Sequence, residues 1–197
     1  NVDGSRSTAV GYQALRRGDG SAGEGNDASN NVAVGYRALY QATDGDNNVA
    51  IGSNAGDAIT TGASNVVVGA SALSTATTAG NNVAIGYYAM QGISAGQALA
   101  GCVAIGKDAF KGSGSTTTSA NYTIAIGLDA LEVLTTGSGN VAVGYQAGDA
   151  VTTGSNNTLI GTHAGGALTT GGSNTFIGQY SAGGSQDVNY AVIIGRD

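Results

Sequence analysis

One short segment, Asn-Val-Ala-Val/Ile-Gly-x-x-Ala, recurs along this 197-residue chain. Its glycines are separated by 24, 17, 17, 17, 20, 21, 17, 17, 17 and 17 residues. Self-similarity at a fixed period is typical of a solenoid, in which each repeat buries its apolar face against the next. The sequence therefore predicts about eleven 17-residue coils, three of them with insertions. The repeat glycines are Gly11, Gly35, Gly52, Gly69, Gly86, Gly106, Gly127, Gly144, Gly161, Gly178 and Gly195.

Apolar residues, most of them β-branched, stand one and three positions before the repeat glycine, as Val83 and Ile85 do before Gly86. Period-two spacing of such residues predicts a strand, and we expect both columns to face the coil interior. A second apolar column, seven residues after the glycine, predicts a second strand across a thin core. Its members include Ile59, Ala76, Ile93, Leu134, Val151 and Leu168. The predicted fold class is all-β, a parallel β-roll (β-solenoid).

The repeat spans the chain without a break in composition, so residues 1–197 are predicted to form a single β-solenoid domain. Insertions near residues 16–30, 91–101 and 111–121 account for the three long spacings, and we expect them to be the recognition loops. The chain begins at Asn1 without Met, and we expect it to be a fragment of a longer fibre protein.

Three polar or small columns predict the corners of each coil. Asn stands four positions before most repeat glycines, where stacked side chains can form an amide ladder while each satisfies its own turn. Ala stands three positions after the glycine and suits a tight corner that faces the interior. Thr stands nine positions before many of the glycines, where it either forms a turn or contributes to a Thr array of the kind that binds ice.

The position two before the repeat glycine decides how the coil assembles. Leu, Ile, Val and Phe make up only about a fifth of the chain, yet this position is apolar throughout. Both faces of the first strand are therefore apolar, which indicates burial on both sides. Packing of three identical chains through this column would bury it, so we predict a homotrimer. The predicted interface residues are Ala33, Ala50, Val67, Ala84, Ala104, Ala125, Ala142, Leu159, Phe176 and Ile193.

Composition and charge argue against several functional classes. Seven Lys and Arg against 13 Asp and Glu disfavour a nucleic-acid partner. No run approaches 18 apolar residues, so no membrane span is expected. With one His (His163, expected at the surface) and one Cys (Cys102, expected as a buried free thiol), no Ser/His/Asp or Cys/His catalytic set is indicated. Asp44 and Asp46 could contact Ca²⁺, but no Asp-x-Asp-x-Asp-Gly loop is present, so we interpret them as solvated acids and expect no metal site. We expect no cofactor and no enzymatic activity.

Two sets of residues are candidates for surface recognition. Tyr12, Tyr36, Tyr87 and Tyr145 directly follow repeat glycines, where they either stack on glycans or cover the edges of the coils. Arg17 and Asp19 belong to an integrin-type Arg-Gly-Asp tripeptide in the first insertion, although such a string also arises by chance in Gly-rich loops.

Residues 82–89, Asn-Val-Ala-Ile-Gly-Tyr-Tyr-Ala, and 157–164, Asn-Thr-Leu-Ile-Gly-Thr-His-Ala, carry a resemblance to known proteins. They resemble the head repeats of trimeric autotransporter adhesins, the YadA-like left-handed parallel β-roll, and are similar to repeats of bacteriophage tail-fibre proteins. The resemblance extends from about Ser7 to Arg196 and implies three rolls packed around one axis. Two departures are a repeat longer than that of the adhesin heads and the lack of a heptad neck or stalk.

The resemblance implies a structural role outside the cell. The longer Thr-Thr-Gly repeat favours an adhesive segment of a phage or phage-like tail fibre that attaches the virion to a host cell surface. The expected partners are two further copies of the chain, a host cell-surface glycan or protein, and neighbouring fibre or stalk segments. The alternative is the head of a bacterial trimeric autotransporter adhesin at the bacterial cell surface. An ice-binding β-solenoid is the third possibility.

Overall fold

The computed structural model describes residues 6–16, 28–113, 117–182 and 187–196. Eleven strands of three residues each form one parallel sheet in the order of the chain. The protein is thus an all-β parallel β-solenoid with a repeat of about 17 residues, and the predicted fold class is confirmed. The strands are β1 (Thr8–Val10), β2 (Val32–Val34), β3 (Val49–Ile51), β4 (Val66–Val68), β5 (Val83–Ile85), β6 (Val103–Ile105), β7 (Ile124–Ile126), β8 (Val141–Val143), β9 (Thr158–Ile160), β10 (Thr175–Ile177) and β11 (Val192–Ile194).

Equivalent residues of successive coils pair without any shift in register. Ala84 at the centre of β5, for example, is opposite Val67 of β4 and Ala104 of β6. The insertions therefore leave the sheet intact, because β5 and β6 pair as β4 and β5 do although their glycines are further apart. Each strand is confined to three residues between the Asn column and the repeat glycine.

The faces of the strand are the reverse of the sequence-based prediction. The central residue of the strand points inward, and Ala33, Ala50, Val67 and Ala84 are fully buried inside a single chain. The two β-branched neighbours point outward, with Ile51 41 % and Val66 38 % exposed.

The predicted interface column is therefore core, and its assignment as an intermolecular surface is wrong. Within one chain Ala104, Ala125, Ala142, Leu159 and Phe176 are fully buried too, and Ile193 packs against the core at its end.

A second strand is also not observed among the described residues. The column seven residues after the repeat glycine is buried as expected, with Ile59, Leu134 and Leu168 at 0 % exposure. It lies at the end of a run of turns, and outside the eleven strands the described chain forms only two isolated bridges. The opposite wall of the coil is therefore built from turns whose backbone groups bond the equivalent groups of adjacent coils, as Thr60 N does to Thr77 O at 2.9 Å.

The interior is filled by a further column that the sequence analysis did not identify, four residues after the repeat glycine. Leu39, Leu73, Met90, Phe110 and Leu131 occupy it, and all are fully buried. These residues have positive φ angles of 44–55°, a backbone region that is uncommon for residues other than Gly. These large side chains lie in the interior beside the strand centre, which is Ala in most coils.

Large and small residues alternate between these two inner columns. Coils with Ala at the strand centre mostly carry Leu, Met or Phe in the later column, as Ala104 does with Phe110. Where the later residue is Gly165, the strand centre is Leu159, whose Cδ2 would lie 2.8 Å from a Cβ added to that glycine. Both positions are small in the coils with Ala50 and Gly56 and with Ala142 and Gly148. There the large side chains of neighbouring coils fill the space, since a Cβ added to Gly148 would lie 2.5 Å from Leu159 Cδ1.

The repeat glycine permits the coils to stack. Gly86 has φ +135°, and a Cβ at this position would lie 2.3 Å from the carbonyl oxygen of Gly106 in the next coil. No side chain can be accommodated at that distance, so glycine is required by both conformation and space.

The predicted asparagine ladder is confirmed. In the buried run from Asn31 to Asn82, each Asn Oδ1 accepts the backbone N–H of the Asn in the next coil, and in two of the steps it accepts the side-chain amide as well. The amide nitrogen of Asn65 also donates to Ala79 O at 2.8 Å, in the turn of the following coil. The expectation that each Asn satisfies its own turn is therefore wrong, because the bond joins two coils.

Candidate functional site

The outer face of the sheet carries a continuous apolar strip, which we call the outer strip. It consists of the first and third residue of each strand, and all of them are Val or Ile except Thr8, Thr158 and Thr175. None of these residues is charged. At about 4.8 Å per strand the strip is roughly 50 Å long. It is the largest contiguous set of exposed or half-exposed Val and Ile side chains in the described chain.

The predicted tyrosines lie beside this strip and are exposed to different extents. Tyr12 is 68 % exposed, whereas Tyr36, Tyr87 and Tyr145 are close to half exposed. Tyr12 and Tyr36 stack on each other in adjacent coils with ring centroids 5.8 Å apart. The pKa of Tyr87 is raised by its side-chain hydrogen bond with Tyr88. The structure thus brings Tyr12 and Tyr36 together and places Tyr87 and Tyr145 in other coils.

A second aromatic group joins one predicted tyrosine, Tyr145, to His163 and Tyr180, which were not predicted to take part in recognition. His163 lies between two tyrosines of the adjacent coils, with Tyr145 edge-on at 5.2 Å and Tyr180 stacked at 4.9 Å. Asp149 lies in the same region; burial raises the pKa of its carboxyl, and the nearby His163 partly offsets that increase. In the sequence, His163 and Tyr180 both stand two positions after a repeat glycine, which places them in adjacent coils on the same side of the roll. The residue type at this position differs from coil to coil, so the group is not evident as a column.

Charged side chains lie mainly on the turns. Asp108 is almost fully buried, contacts Lys107, and has its Oδ1 3.4 Å from Lys111 Nζ. Arg37 NH2 lies 3.8 Å from Asp57 Oδ2, and its guanidinium covers the ring of Tyr40 at 4.3 Å. Burial raises the pKa of Asp57, with the neighbouring Arg37 acting against it. These pairs explain how acidic side chains are accommodated close to the coil surface.

The described parts of the insertions are partly packed onto the roll. In the second insertion Ile93 and Leu99 are buried, and Gly96 N donates to Thr77 Oγ1 at 2.8 Å. In the third, Thr117 and Ala120 are buried. Arg17 and Asp19 of the first insertion lie outside the described residues.

The Thr column has a hydrogen-bonding role within the fold. Thr60 Oγ1 donates to Thr77 O at 3.1 Å, and Thr135 Oγ1 donates to Thr152 O at 2.8 Å, in each case in the next coil. This bonding gives the Thr hydroxyl a structural role in joining adjacent coils, as the turn-forming alternative expects of a residue that acts within the fold.

Cys102 replaces Asn in the ladder and is a buried free thiol. Its Sγ lies 3.4 Å from Ala120 O, and burial raises its pKa to about 11. Among the described residues, no group of three His, Cys, Asp or Glu side chains is arranged to hold a metal ion. In the same part of the chain, no helix has the length and apolar character needed to cross a bilayer.

Comparison of the chain with family models, with curated proteins and with solved structures gave no match.

Proposed function

We propose that this chain is a structural, non-enzymatic segment of a phage or phage-like tail fibre, assembled as a homotrimer, that attaches the virion to a host cell surface. The observation that carries the proposal is the outer strip. A half-exposed row of Val and Ile, uncharged over about 50 Å, is a surface that requires a partner of matching length. Further copies of the same chain supply that partner, and cyclic symmetry closes the assembly.

The solenoid geometry supports a role in a fibre. All eleven strands lie in one sheet in chain order, so the chain adds length along one axis with each coil. Neighbouring fibre or stalk segments can continue that axis at either end. Attachment is assigned to the predicted tyrosines and the insertions, which are not part of the outer strip, and a host glycan or protein is the expected receptor.

Light scattering coupled to gel filtration tests the assembly. We expect a mass three times the 19.1 kDa of one chain. Ile85→Asp, in the outer strip, should abolish that species, whereas Thr136→Asp, at an exposed turn position, should retain it. Circular dichroism of both variants shows whether the roll survives separation of the chains. A single-chain mass for the natural protein, or a trimer unaffected by Ile85→Asp, contradicts the proposal.

The head of a bacterial trimeric autotransporter adhesin is the second candidate, favoured by the Asn-Val-Ala-Ile-Gly segments that form the strands. Both candidates would trimerise through the same outer strip, so they differ in the segments that flank the solenoid in the full-length protein. The flanking sequence of the full-length gene separates them. A virion-attachment or intramolecular chaperone segment supports the fibre, and a coiled-coil stalk with a membrane anchor supports the adhesin.

Attachment itself is tested by sedimenting the labelled trimer with a panel of bacterial cells. We expect the protein to sediment with at least one strain and to be released by excess unlabelled protein. Failure to sediment with any strain in the panel contradicts the attachment function while leaving the trimer intact.

A further inference from the structure

We propose that Tyr145, His163 and Tyr180, together with Asp149, form a binding site for an uncharged saccharide. The inference rests on the proposed attachment function and names the receptor chemistry for one particular surface. It identifies a site in coils that carry none of the predicted insertions.

The aromatic part of the site is a fixed stack. The His163 ring is parallel to Tyr180 to within 7° and perpendicular to Tyr145 to within 2°, so contacts on both sides hold its orientation. Tyr145 and Tyr180 nevertheless remain 44 % and 42 % exposed. Preorganised rings with exposed surface offer an apolar platform whose polar hydroxyl groups reach solvent, which suits the alternating apolar and hydroxyl surfaces of a pyranose.

The polar part of the site lies beside this platform. Asp149 is partly buried and lies near His163. Gly166 lies between the two residues, because an added Cβ would be 3.3 Å from His163 O, 3.5 Å from Asp149 Oδ1 and 3.8 Å from the Cβ of His163. A carboxylate accepts hydrogen bonds from two neighbouring hydroxyl groups, which is the arrangement that a sugar ring presents.

Tyr145, His163, Tyr180 and Asp149 form a stripe along the rod, and polar side chains extend this stripe in the direction of the earlier coils. Gln146, in the same coil as Tyr145, donates from Nε2 to Asp129 Oδ2 at 3.3 Å, which places an amide in that coil and a second carboxylate in the coil before it. Carboxylates at two levels of the stripe, on a chain with a formal net charge of −6, repel anionic sugars. The chemistry therefore favours a neutral saccharide, and the coil spacing of about 4.8 Å allows an oligosaccharide to run along the stripe.

The test measures binding of neutral oligosaccharides to the intact protein by saturation-transfer NMR and by titration. The probes are tetrasaccharides of glucose, galactose, mannose and N-acetylglucosamine, with sialyllactose as the anionic comparison. We expect at least one neutral probe to bind, and Tyr145→Ala with Tyr180→Ala to weaken it by about tenfold or more. The matched control is Tyr122→Ala with Tyr190→Ala, which removes two exposed tyrosines that lie outside the proposed site and should leave the affinity unchanged.

The milder variant Tyr180→Phe keeps the aromatic ring and should retain saccharide binding. Comparison with the Ala variants therefore distinguishes loss of the binding surface from loss of the fold. Circular dichroism checks each variant. No binding of any neutral probe, preference for sialyllactose, or binding unaffected by the Tyr145 and Tyr180 changes would overturn the proposal. Cell attachment that persists in that double variant overturns this site and leaves the fibre function standing. Saccharide binding by a protein that sediments with no cells supports this site and contradicts the proposed attachment function.

Discussion

Ala84 and Ile85 are consecutive in strand β5 and lie on opposite sides of the sheet. Ala84 is fully buried in the interior of the coil, whereas Ile85 is only half-buried on the outer strip. The larger and more apolar side chain is thus the one that faces away from the core of its own chain. This arrangement is the structural basis for expecting a second buried surface between chains.

Placing Leu at each of these two neighbouring positions should have different effects. Ala84→Leu overpacks a closed interior and should lower the free energy of unfolding by about 1–3 kcal/mol. Ile85→Leu changes only shape on the outer strip and should cost less than about 1.5 kcal/mol. Thermal and urea unfolding of both variants measures the difference. Equal costs would show that the interior is not closed at the strand centre.

Removing one member of the asparagine ladder should be strongly destabilising. Asn65 donates to Asn48 Oδ1 and Ala79 O and accepts from the backbone N–H of Asn82, all within a buried column. Asn65→Ala leaves buried partners unsatisfied and should cost about 2–4 kcal/mol. Thr61→Ala, at an exposed position of the same coil, is the control. If urea unfolding gives the same midpoint for both variants, the ladder does not contribute to stability.

Restoring Asn at the two positions where the ladder is interrupted, Cys102 and Thr123, should stabilise the protein. Cys102 offers only a weak thiol donor to Ala120 O, and the buried Thr123 Oγ1 has no hydrogen-bond partner. Cys102→Asn and Thr123→Asn should each raise the free energy of unfolding by about 1 kcal/mol. Because the two sites are adjacent in the column, the double variant should gain more than the sum. A loss of stability in the double variant would show that the amide does not fit these two coils.

Substitution of a repeat glycine should be among the most damaging single changes. Gly86→Ala places a Cβ against the Gly106 carbonyl at a positive φ, which should cost about 3 kcal/mol or more. Gly96→Ala is the comparison, since its φ is also positive but nothing lies within 4 Å of the added Cβ. The difference between the two denaturation midpoints isolates the contribution of the close contact. Equal midpoints would mean that the coils separate easily at this point.

Two carboxylates should give opposite pH dependences. Burial raises the pKa of Asp149, so the folded state favours its protonated form. The ionised carboxylate therefore destabilises the folded state at neutral pH, and this cost is relieved as pH falls through the raised pKa. Asp149→Asn should therefore stabilise the protein at pH 7, with the gain shrinking in acid. Melting temperatures measured from pH 3 to 7 test this, and a gain that does not change with pH would contradict it.

Asp187 should give the opposite pH dependence of stability. Its carboxylate accepts from Thr169 Oγ1 and from the backbone N–H of Thr170, and these bonds lower its pKa. Its contribution is present above the pKa of the unfolded chain and is lost as pH falls through the lowered folded value. Asp187→Asn should destabilise the protein at pH 7 and have little effect in strong acid. The same melting curves provide the comparison.

The spacing of the repeat predicted the parallel stacking, the glycine column and the asparagine ladder, because each depends only on equivalent residues of successive coils lying together. The direction of side chains was not predictable from hydrophobicity alone. Val83 and Ile85 are more apolar than Ala84, yet the interior is already filled by Met90 and by the column that contains Ile93. The positive φ angle of Met90, which turns its side chain inward, leaves no mark in a pattern of apolar residues.

The candidate surfaces were predictable only in part. Tyr12, Tyr36, Tyr87 and Tyr145 share one position, and their exposure follows from that position. The group around His163 combines different residue types at two positions in three coils, so no single column of the repeat reveals it. The contact depends on which side chains coincide in neighbouring coils.

The asparagine ladder also bears on how such a chain changes its length. Each Asn accepts the backbone N–H of the following coil at its Oδ1 and donates its own backbone N–H to the Asn Oδ1 of the coil before it, so the two boundaries of a coil are complementary. Any regular coil can therefore follow any other, and duplicating or deleting 17 residues in register would create no new kind of junction. Copy number sets the reach of the rod, and a gene encoding it can change that reach by recombination between repeats while the hydrogen-bonding pattern at the new boundary is preserved.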